Sequence, residues 1–489
     1  MTVETPAVVF GSDSGHSGVD LARLDAALMD VATTGKWPAG VIAALRERLI
    51  DGADGALFRI NPYEYAAQHT LESKVSIELF IHATRAGLFT QEWGLVCRGC
   101  GEVVESHQRL SALTDHFFCA ACAQTRTANL DEQVEVSFTV HPSIRRIRFH
   151  DLDSLSIEQR FFDWRFSRNI EVKGVGESLS DYIRDRTTVA AQLASDESVD
   201  VSFDATPGWI VGSPRAMITV EGEPTTEVRE IALEHRVDQW LPRPTVRPGP
   251  VHLTLTNRSA SDLPILLYHT PIVTYFEYRE FLSGHRLLND PEFRRQLGTE
   301  VVRPGCGLPL KDNTLLFTDL RGSTELYDRV GDERAFAVVS QHFECLARVV
   351  TRWSGVVVKT MGDAVMASFS RPENAVCAAI AMLDEMKVLP ELVEGADMAP
   401  KVGVHRGPCI AVTVANAIDF FGHTVNVAAR TQGRASAGEL CITDAVYTDP
   451  NVIAVLAGRP HTEERIQLRG VDSELGLLRI RSQAIRLAE

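Results

Sequence analysis

Asn313-Thr-Leu-Leu-Phe-Thr-Asp-Leu-Arg-Gly-Ser-Thr324 opens the most regular stretch of the chain. Thr314 to Thr318 reads as a strand that ends in Asp319. Glu333 to Trp353 reads as a helix. Phe336, Val339, Phe343, Leu346 and Val350 follow three-and-four spacing and make one apolar face. Gly355 to Lys359 and Ala364 to Phe369 read as two strands with a Gly362-Asp363 turn near their junction. Pro372 to Met386 is a second helix, with Val376, Ile380 and Leu383 on one side, and Lys401 to His405 a further strand.

The order βαββαβ is the split-βαβ, ferredoxin-like arrangement. Working back from it, Pro304 and Gly305 break the chain, and 276–300 reads as helical. Val134 to Val140, Gly249 to Asn257 and Pro264 to Tyr268 alternate as half-buried strands do. The polar turn Asn257–Asp262 predicts that the last two form a hairpin. Leu21 to Leu49 reads as helical, and Pro62 to Ala86 as two short helices joined near Thr70 and capped by Gly87. The expected α+β chain therefore has five parts: a flexible Ser/Gly/Asp-rich N-terminus at 1–20; a helical segment with paired cysteines at 21–130; a mainly β, regulatory domain at 131–275; a helical linker at 276–311; and the βαββαβ domain at 312–482.

A content of 45% hydrophobic and 23% charged residues supports packed cores rather than disorder. The net charge of -16 argues against a general nucleic-acid or anionic-membrane role. No apolar run is long enough to span a bilayer, and the N-terminus lacks the pattern of a signal peptide, so a cytoplasmic location is expected. Of nine cysteines, Cys306, Cys345, Cys377, Cys409 and Cys441 are scattered and read as small hydrophobes or bystanders.

Three pieces of the C-terminal domain carry chemistry. In Leu316-Phe-Thr-Asp-Leu-Arg-Gly-Ser-Thr324 a strand ends in a carboxylate and a turn follows. Such a turn offers N–H groups to phosphate while the carboxylate holds a divalent metal against it; alone, the piece reads better as a polar strand end with a turn. In Lys359-Thr-Met-Gly-Asp-Ala-Val-Met-Ala367, Asp363 sits in the hairpin turn. A Gly-Asp hairpin is unremarkable by itself, but strand end and hairpin together can bring Asp319 and Asp363 onto one sheet edge, as a two-metal phosphoryl-transfer site requires. In Asp419-Phe-Phe-Gly-His-Thr-Val-Asn-Val-Ala-Ala-Arg430, Asn426 and Arg430 stand four apart and share a helix face. An amide and a guanidinium there can stabilise developing phosphoryl charge, or simply cover a solvated helix.

Taken in this order, the three pieces resemble the catalytic domain of class III nucleotidyl cyclases over about 312–482. That resemblance implies conversion of ATP to cyclic AMP and pyrophosphate. It implies that Asp319 and Asp363 bind two Mg²⁺ or Mn²⁺ ions, and that the backbone from Leu320 through Gly322 and Ser323 to Thr324 wraps the triphosphate. Lys359 and Asp419 match the pair that reads adenine, and Asn426 and Arg430 the pair that orients the ribose and steadies the transition state. Arg469 matches a polyphosphate contact less closely. Guanylate cyclases typically carry Glu and Cys where this chain has Lys359 and Asp419. In the family the two halves of the site come from two catalytic domains, so one domain bearing both halves implies a homodimer. The chain departs from the commoner pattern at His423, where a small polar residue or Asp is usual, and in Gly407-Pro-Cys-Ile-Ala-Val-Thr413, which lacks a frequent glycine; neither is expected to touch the catalytic set. A cyclase for another nucleotide (cyclic GMP or a cyclic pyrimidine) and a catalytically weak nucleotide-binding signalling protein are the competing readings.

Upstream, Cys97-Arg-Gly-Cys100 and Cys119-Ala-Ala-Cys122 are separated by 18 residues, the spacing of a zinc ribbon. A redox pair is the alternative; a structural Zn²⁺ on four thiolates is expected, with His107 and His116 at the surface. This region, with Arg59-Ile-Asn-Pro-Tyr-Glu-Tyr-Ala66 and Ala83-Thr-Arg-Ala-Gly-Leu88, looks like the N-terminal part of multidomain bacterial cyclases of uncharacterised regulation. The resemblance implies a regulatory ligand or protein partner and names none. The acidic chain, with no basic run, makes nucleic acid an unlikely partner of the ribbon.

Overall fold

The computed structural model describes residues 18–122, 124–213, 216–236, 239–271, 275–298, 300–321, 323–386, 399–469, 471 and 474–481. Most of the terminus expected to be flexible, 1–17, lies outside them. Among the described residues no helix is long and apolar enough to cross a membrane. The chain divides into two compact units. The first runs to Gln108 and adds His116–Thr127 and Gln133–Leu282; the second takes Arg109–Asp115, Ala128–Glu132 and everything from Ser283.

The first unit begins with helices Leu21–Thr34, Val41–Asp51, Pro62–Gln68 and Ser73–Arg85. The single helical reading of 21–49 is thus two helices. Asp20 caps the first by accepting from Arg23 N at 3.0 Å, and Asn61 followed by Pro62 starts the third. The strand Val134–Val140 pairs antiparallel with Phe89–Val96, so it shares a sheet with residues on the other side of position 131. A sandwich of two sheets is built between Thr187 and Thr270 around Ile210, Leu233, Trp240, Leu253 and Leu267. Its strands Gly249–Asn257 and Leu263–Thr270 are not a hairpin, contrary to the sequence expectation. The first pairs with Ser198–Ala205 and Arg229–Arg236 in one sheet, and the second with Thr187–Leu193 and Gly208–Ser213 in the other. The turn between them crosses the sandwich. Buried Asn257 holds that crossing by donating from Nδ2 to the carbonyls of Leu193, Ala194 and Ser261, each at 2.9–3.1 Å.

In the second unit, 276–300 proves only partly helical: Phe276–Tyr278 (still in the first unit) is a strand, and Gly284–Leu288 and Pro291–Gln296 are short helices. Then comes the domain of the opening stretch. Its first four strands are Leu308–Leu320, Gly355–Met361, Ala364–Phe369 and Pro400–Val414, in the spatial order second, third, first, fourth. That is the ferredoxin-like order, and the fold class is α+β as expected. Glu439–Thr443 joins parallel to Pro400–Val414 after the helix His423–Gln432, and Leu475–Arg481 and Thr462–Ile466 extend the sheet. Helices Asp332–Arg352 and Pro372–Glu385 close one face over Leu316, Val350, Val376, Leu383 and Val404. Phe336 is 68% exposed rather than part of that face. The buried stripe runs through Ala335, Val339, His342, Leu346 and Val349, and Phe336 lies about 100° round the helix from Ala335.

Candidate active site

The Leu308–Leu320 strand is central, with neighbours on both edges, and this fixes the position of Asp319. Thr318 faces Val365 in the register, and its buried Oγ1 accepts from Val365 N at 3.2 Å. Asp319 is the next residue, beside the turn that holds Asp363. Gly362 in that turn has φ +64, a conformation that costs a glycine little and any other residue more. Strand end and hairpin thus converge, and both carboxylates stay partly exposed. Lys401, directly opposite Asp319, places Nζ 3.4 Å from Asp319 Oδ2. Sequence reasoning missed Lys401, because only the pairing register reveals it.

Lys359 and Asp419, 60 residues apart, meet at 2.7 Å between Nζ and Oδ2. Two local features bring this about. A bulge between Val357 and Lys359 shifts the register of the Gly355–Met361 strand and re-aims Lys359. The Pro400–Val414 strand, longer than the expected 401–405, turns back at Ala415-Asn416, both at positive φ, so that Asp419 pairs with Val412. Asp419 is buried, and its Oδ1 accepts from Phe420 N at 2.8 Å.

Beneath the pair lies Arg294, also missed, because it belongs to the short helix before the domain. Its Nε donates to the Leu288 carbonyl at 2.8 Å and its Nη1 to that of Ile418, next to Asp419, at 3.4 Å. Its Nη2 is buried with no partner among the described residues. Burial pushes this guanidinium down to about 10, and Asp419 opposes the shift.

Asn426 and Arg430 share the open face of the His423–Gln432 helix, whose other face buries Thr424, Val427, Ala428 and Thr431. His423 is three residues before Asn426, on that same open face. The helix sits close against the sheet because position 403 is glycine: a Cβ there would meet Gln432 N at 2.1 Å. Leu468 and Val471 pack on Val427, which puts exposed Arg469 on a loop seated against the same helix. Leu320 is buried; Gly322 and the side chains of Ser323 and Thr324 lie outside the described residues. Among the described residues no hydrogen bond or ion pair links the Asp319–Asp363 edge to Asn426, Arg430 or the Lys359–Asp419 pair.

In the first unit, Cys97, Cys100, Cys119 and Cys122 gather with all four Sγ atoms within 4.8 Å of one another. Cys97 and Cys122 stand 3.7 Å apart, and Cys100 and Cys119 3.5 Å. Four thiolates around zinc at about 2.3 Å would lie about 3.8 Å from one another. The cluster is therefore compatible with Zn²⁺. His116 is exposed, and His107 Nε2 pairs with Glu105 at 2.9 Å, so neither histidine belongs to the cluster.

Residues 25–295 match the family described as a family of unknown function (DUF5939). Residues 309–472 match the adenylate and guanylate cyclase catalytic domain. A pH-sensitive adenylate cyclase of Mycobacterium tuberculosis is 30% identical over 208 residues, covering 40% of this chain and 48% of that protein. The chain spans less than half the length of the curated relatives it matches. Among solved structures, the adenylyl cyclase CyaB from P. aeruginosa is 22% identical, with a TM-score of 0.33, covering 37% of this chain and 99% of that one. The guanylyl cyclase Cya2 is 19% identical, with a TM-score of 0.32, covering 37% and 98%. The chain belongs to the DUF5939 family and ends in a class III nucleotidyl cyclase catalytic domain.

Proposed function

We propose that this chain is an adenylate cyclase, converting ATP to 3′,5′-cyclic AMP and pyrophosphate at sites shared by two copies of the chain. The Lys359–Asp419 pair, a donor and an acceptor held 2.7 Å apart, carries the reading. Adenine offers an N6 donor and an N1 acceptor, and guanine presents the reverse. Asp419 accepts from N6, and Lys359 donates to N1, directly or through a water.

Asp319 and Asp363 supply two partly exposed carboxylates with open positions, a donor set that fits Mg²⁺ or Mn²⁺. Bound there, such ions would lower the pKa of the ribose 3′-OH and offset the charge of the triphosphate. The chain's own groups do the rest. Backbone N–H groups from Leu320 to Thr324 bind the phosphates, with Arg469 reaching the polyphosphate. Asn426 orients the ribose so that its 3′ oxygen attacks the α-phosphorus in line, and Arg430 meets the charge that develops there as pyrophosphate leaves.

Two observations support a homodimer. Among the described residues the halves of the site do not bond to each other within one chain. The rim of the Lys359–Asp419 pair also exposes Val357, Met361, Ile410 and Phe421, each at 38–48%. In this reading Zn²⁺ staples the four cysteines of the first unit, and that unit regulates the enzyme in the cytoplasm. The test is incubation of the pure full-length protein with each nucleoside triphosphate and Mn²⁺. Cyclic AMP from ATP is the expected product. Preferential cyclisation of GTP or a pyrimidine nucleotide would replace this reading with a cyclase for another nucleotide.

A further inference from the structure

The first unit holds a cavity of about 280 Å³ lined wholly by its own residues. Phe58, Phe149 and Phe162 form one part of its wall, with the first two stacked at 4.1 Å between ring centroids. Arg148, Arg168, Arg184 and Arg279 also line it, together with Glu64, Asp163 and Asp181. Three of these arginines are matched by carboxylates. Arg148 and Arg184 converge on Asp163 at 3.3 and 2.6 Å, Arg184 also reaches Asp181 at 2.6 Å, and Arg279 pairs with Glu171 at 2.8 Å.

Arg168 differs from them. Its Nη1 donates to the Phe58 carbonyl at 2.6 Å and to that of Gly55, and among the described residues it has no carboxylate at ion-pair distance. The residue is exposed to solvent and lines the cavity. Desolvation of the guanidinium and the neighbouring Arg279 lower its pKa, against the pull of Glu64 and Asp163. A guanidinium stays charged at neutral pH all the same. Two carbonyls fix its plane, and Nε and Nη2 remain for a forked contact with an anion.

We propose that this cavity binds a small organic anion with a flat apolar ring, its carboxylate or phosphate on Arg168 and its ring against the phenylalanine wall. Small-molecule pockets run from roughly 300 to 1,000 Å³. At about 280 Å³ this cavity falls just below that range, and it suits a single-ring acid more closely than a mononucleotide.

Calorimetric titration of the full-length protein tests this without reference to cyclase activity. The probes are phenylpyruvate, AMP and cyclic AMP, against citrate and inorganic phosphate. At least one aromatic anion should bind, with affinity cut about tenfold or more by Arg168→Gln and left unchanged by Asp419→Ala, which separates this cavity from the catalytic site. The proposal is overturned if no aromatic anion binds, if Arg168→Gln leaves binding intact, or if citrate and phosphate bind equally well. Should Arg168→Gln not fold, Arg168→Lys decides: losing the fork should weaken binding about threefold or more, and unchanged affinity overturns the proposal.

Discussion

Lys359 Nζ and Asp419 Oδ2 lie 2.7 Å apart across two strands that do not pair with each other. Each side chain therefore depends on its own local device, a bulge for one and a tight turn for the other. If the pair reads adenine, Lys359→Glu with Asp419→Cys should move the ratio of kcat/KM values from ATP toward GTP by roughly 10²-fold. Chromatography of the products measures this, and an unchanged ratio removes the pair from base recognition.

The proposed sharing of the site between two copies of the chain makes a quantitative demand. Asp319→Ala and Arg430→Ala should each be inactive alone. Mixed with exchange, about half of the dimers are heterodimers with one intact site, so activity should return to roughly a quarter of wild type. Demonstrated exchange with no recovery would place the whole site in one chain.

Arg294 reaches the carbonyl beside Asp419 from outside the catalytic domain. Arg294→Met keeps bulk and removes both the charge and the donor. It should raise KM for ATP about fivefold with a smaller effect on kcat, and Arg294→Lys should recover part of the loss. A fall in kcat alone would mean that Arg294 acts on the chemical step and not on placement of the base.

His405 is buried, with Nδ1 2.7 Å from Thr443 Oγ1. Burial pushes its pKa down to about 4; Asp444 pulls the other way and His423 adds to the shift. In the unfolded chain imidazole titrates near 6.5, so between those values the unfolded state binds a proton that the folded state does not. The contribution is complete above about pH 6.5 and declines as pH falls toward 4, at about 1.4 kcal/mol per unit. His342, also pushed down to about 4 by burial with Asp363 opposing, titrates in the same window. His405→Gln should thus make stability fall less steeply between about pH 6.5 and 4 in denaturant titrations of the full-length protein. An unaltered slope would locate the acid sensitivity elsewhere.

Stripping metal from the four-cysteine cluster, or Cys97→Ser, should release one zinc per chain, read by a colorimetric chelator, and lower the unfolding midpoint of the first unit. Elemental analysis that finds no zinc in the reduced native protein would end that assignment.

The catalytic sheet and its helices were legible because apolar spacing reports burial. The exposed Phe336 shows the limit: spacing cannot tell the centre of a buried stripe from its margin. The false hairpin at 249–268 has a related cause. Alternation says that a strand is half-buried, not which of two sheets it joins, and the holding role of Asn257 is invisible until both sheets exist. Asp319, Asp363 and the CxxC pairs could be picked out as short motifs. Arg294 and Lys401 could not, because each acts through neighbours that only the folded register supplies.

Residues 109–115 and 128–132 cluster with the second unit although they precede it by more than 150 residues. Leu130 N donates to the Pro309 carbonyl at 2.9 Å, His285 N to that of Leu130 at 2.9 Å, and Asp131 Oδ1 meets His285 Nδ1 at 2.8 Å. The catalytic half is consequently not a cassette. A single cut near 283 or 305 leaves behind peptides that complete its edge, and a recombination event at that junction would transplant an enzyme with open seams. During synthesis those early peptides emerge long before their partners, so they must wait for the C-terminal half before their bonds can form. Inheritance of the two halves as one gene is, on this view, a requirement of the backbone as much as of regulation.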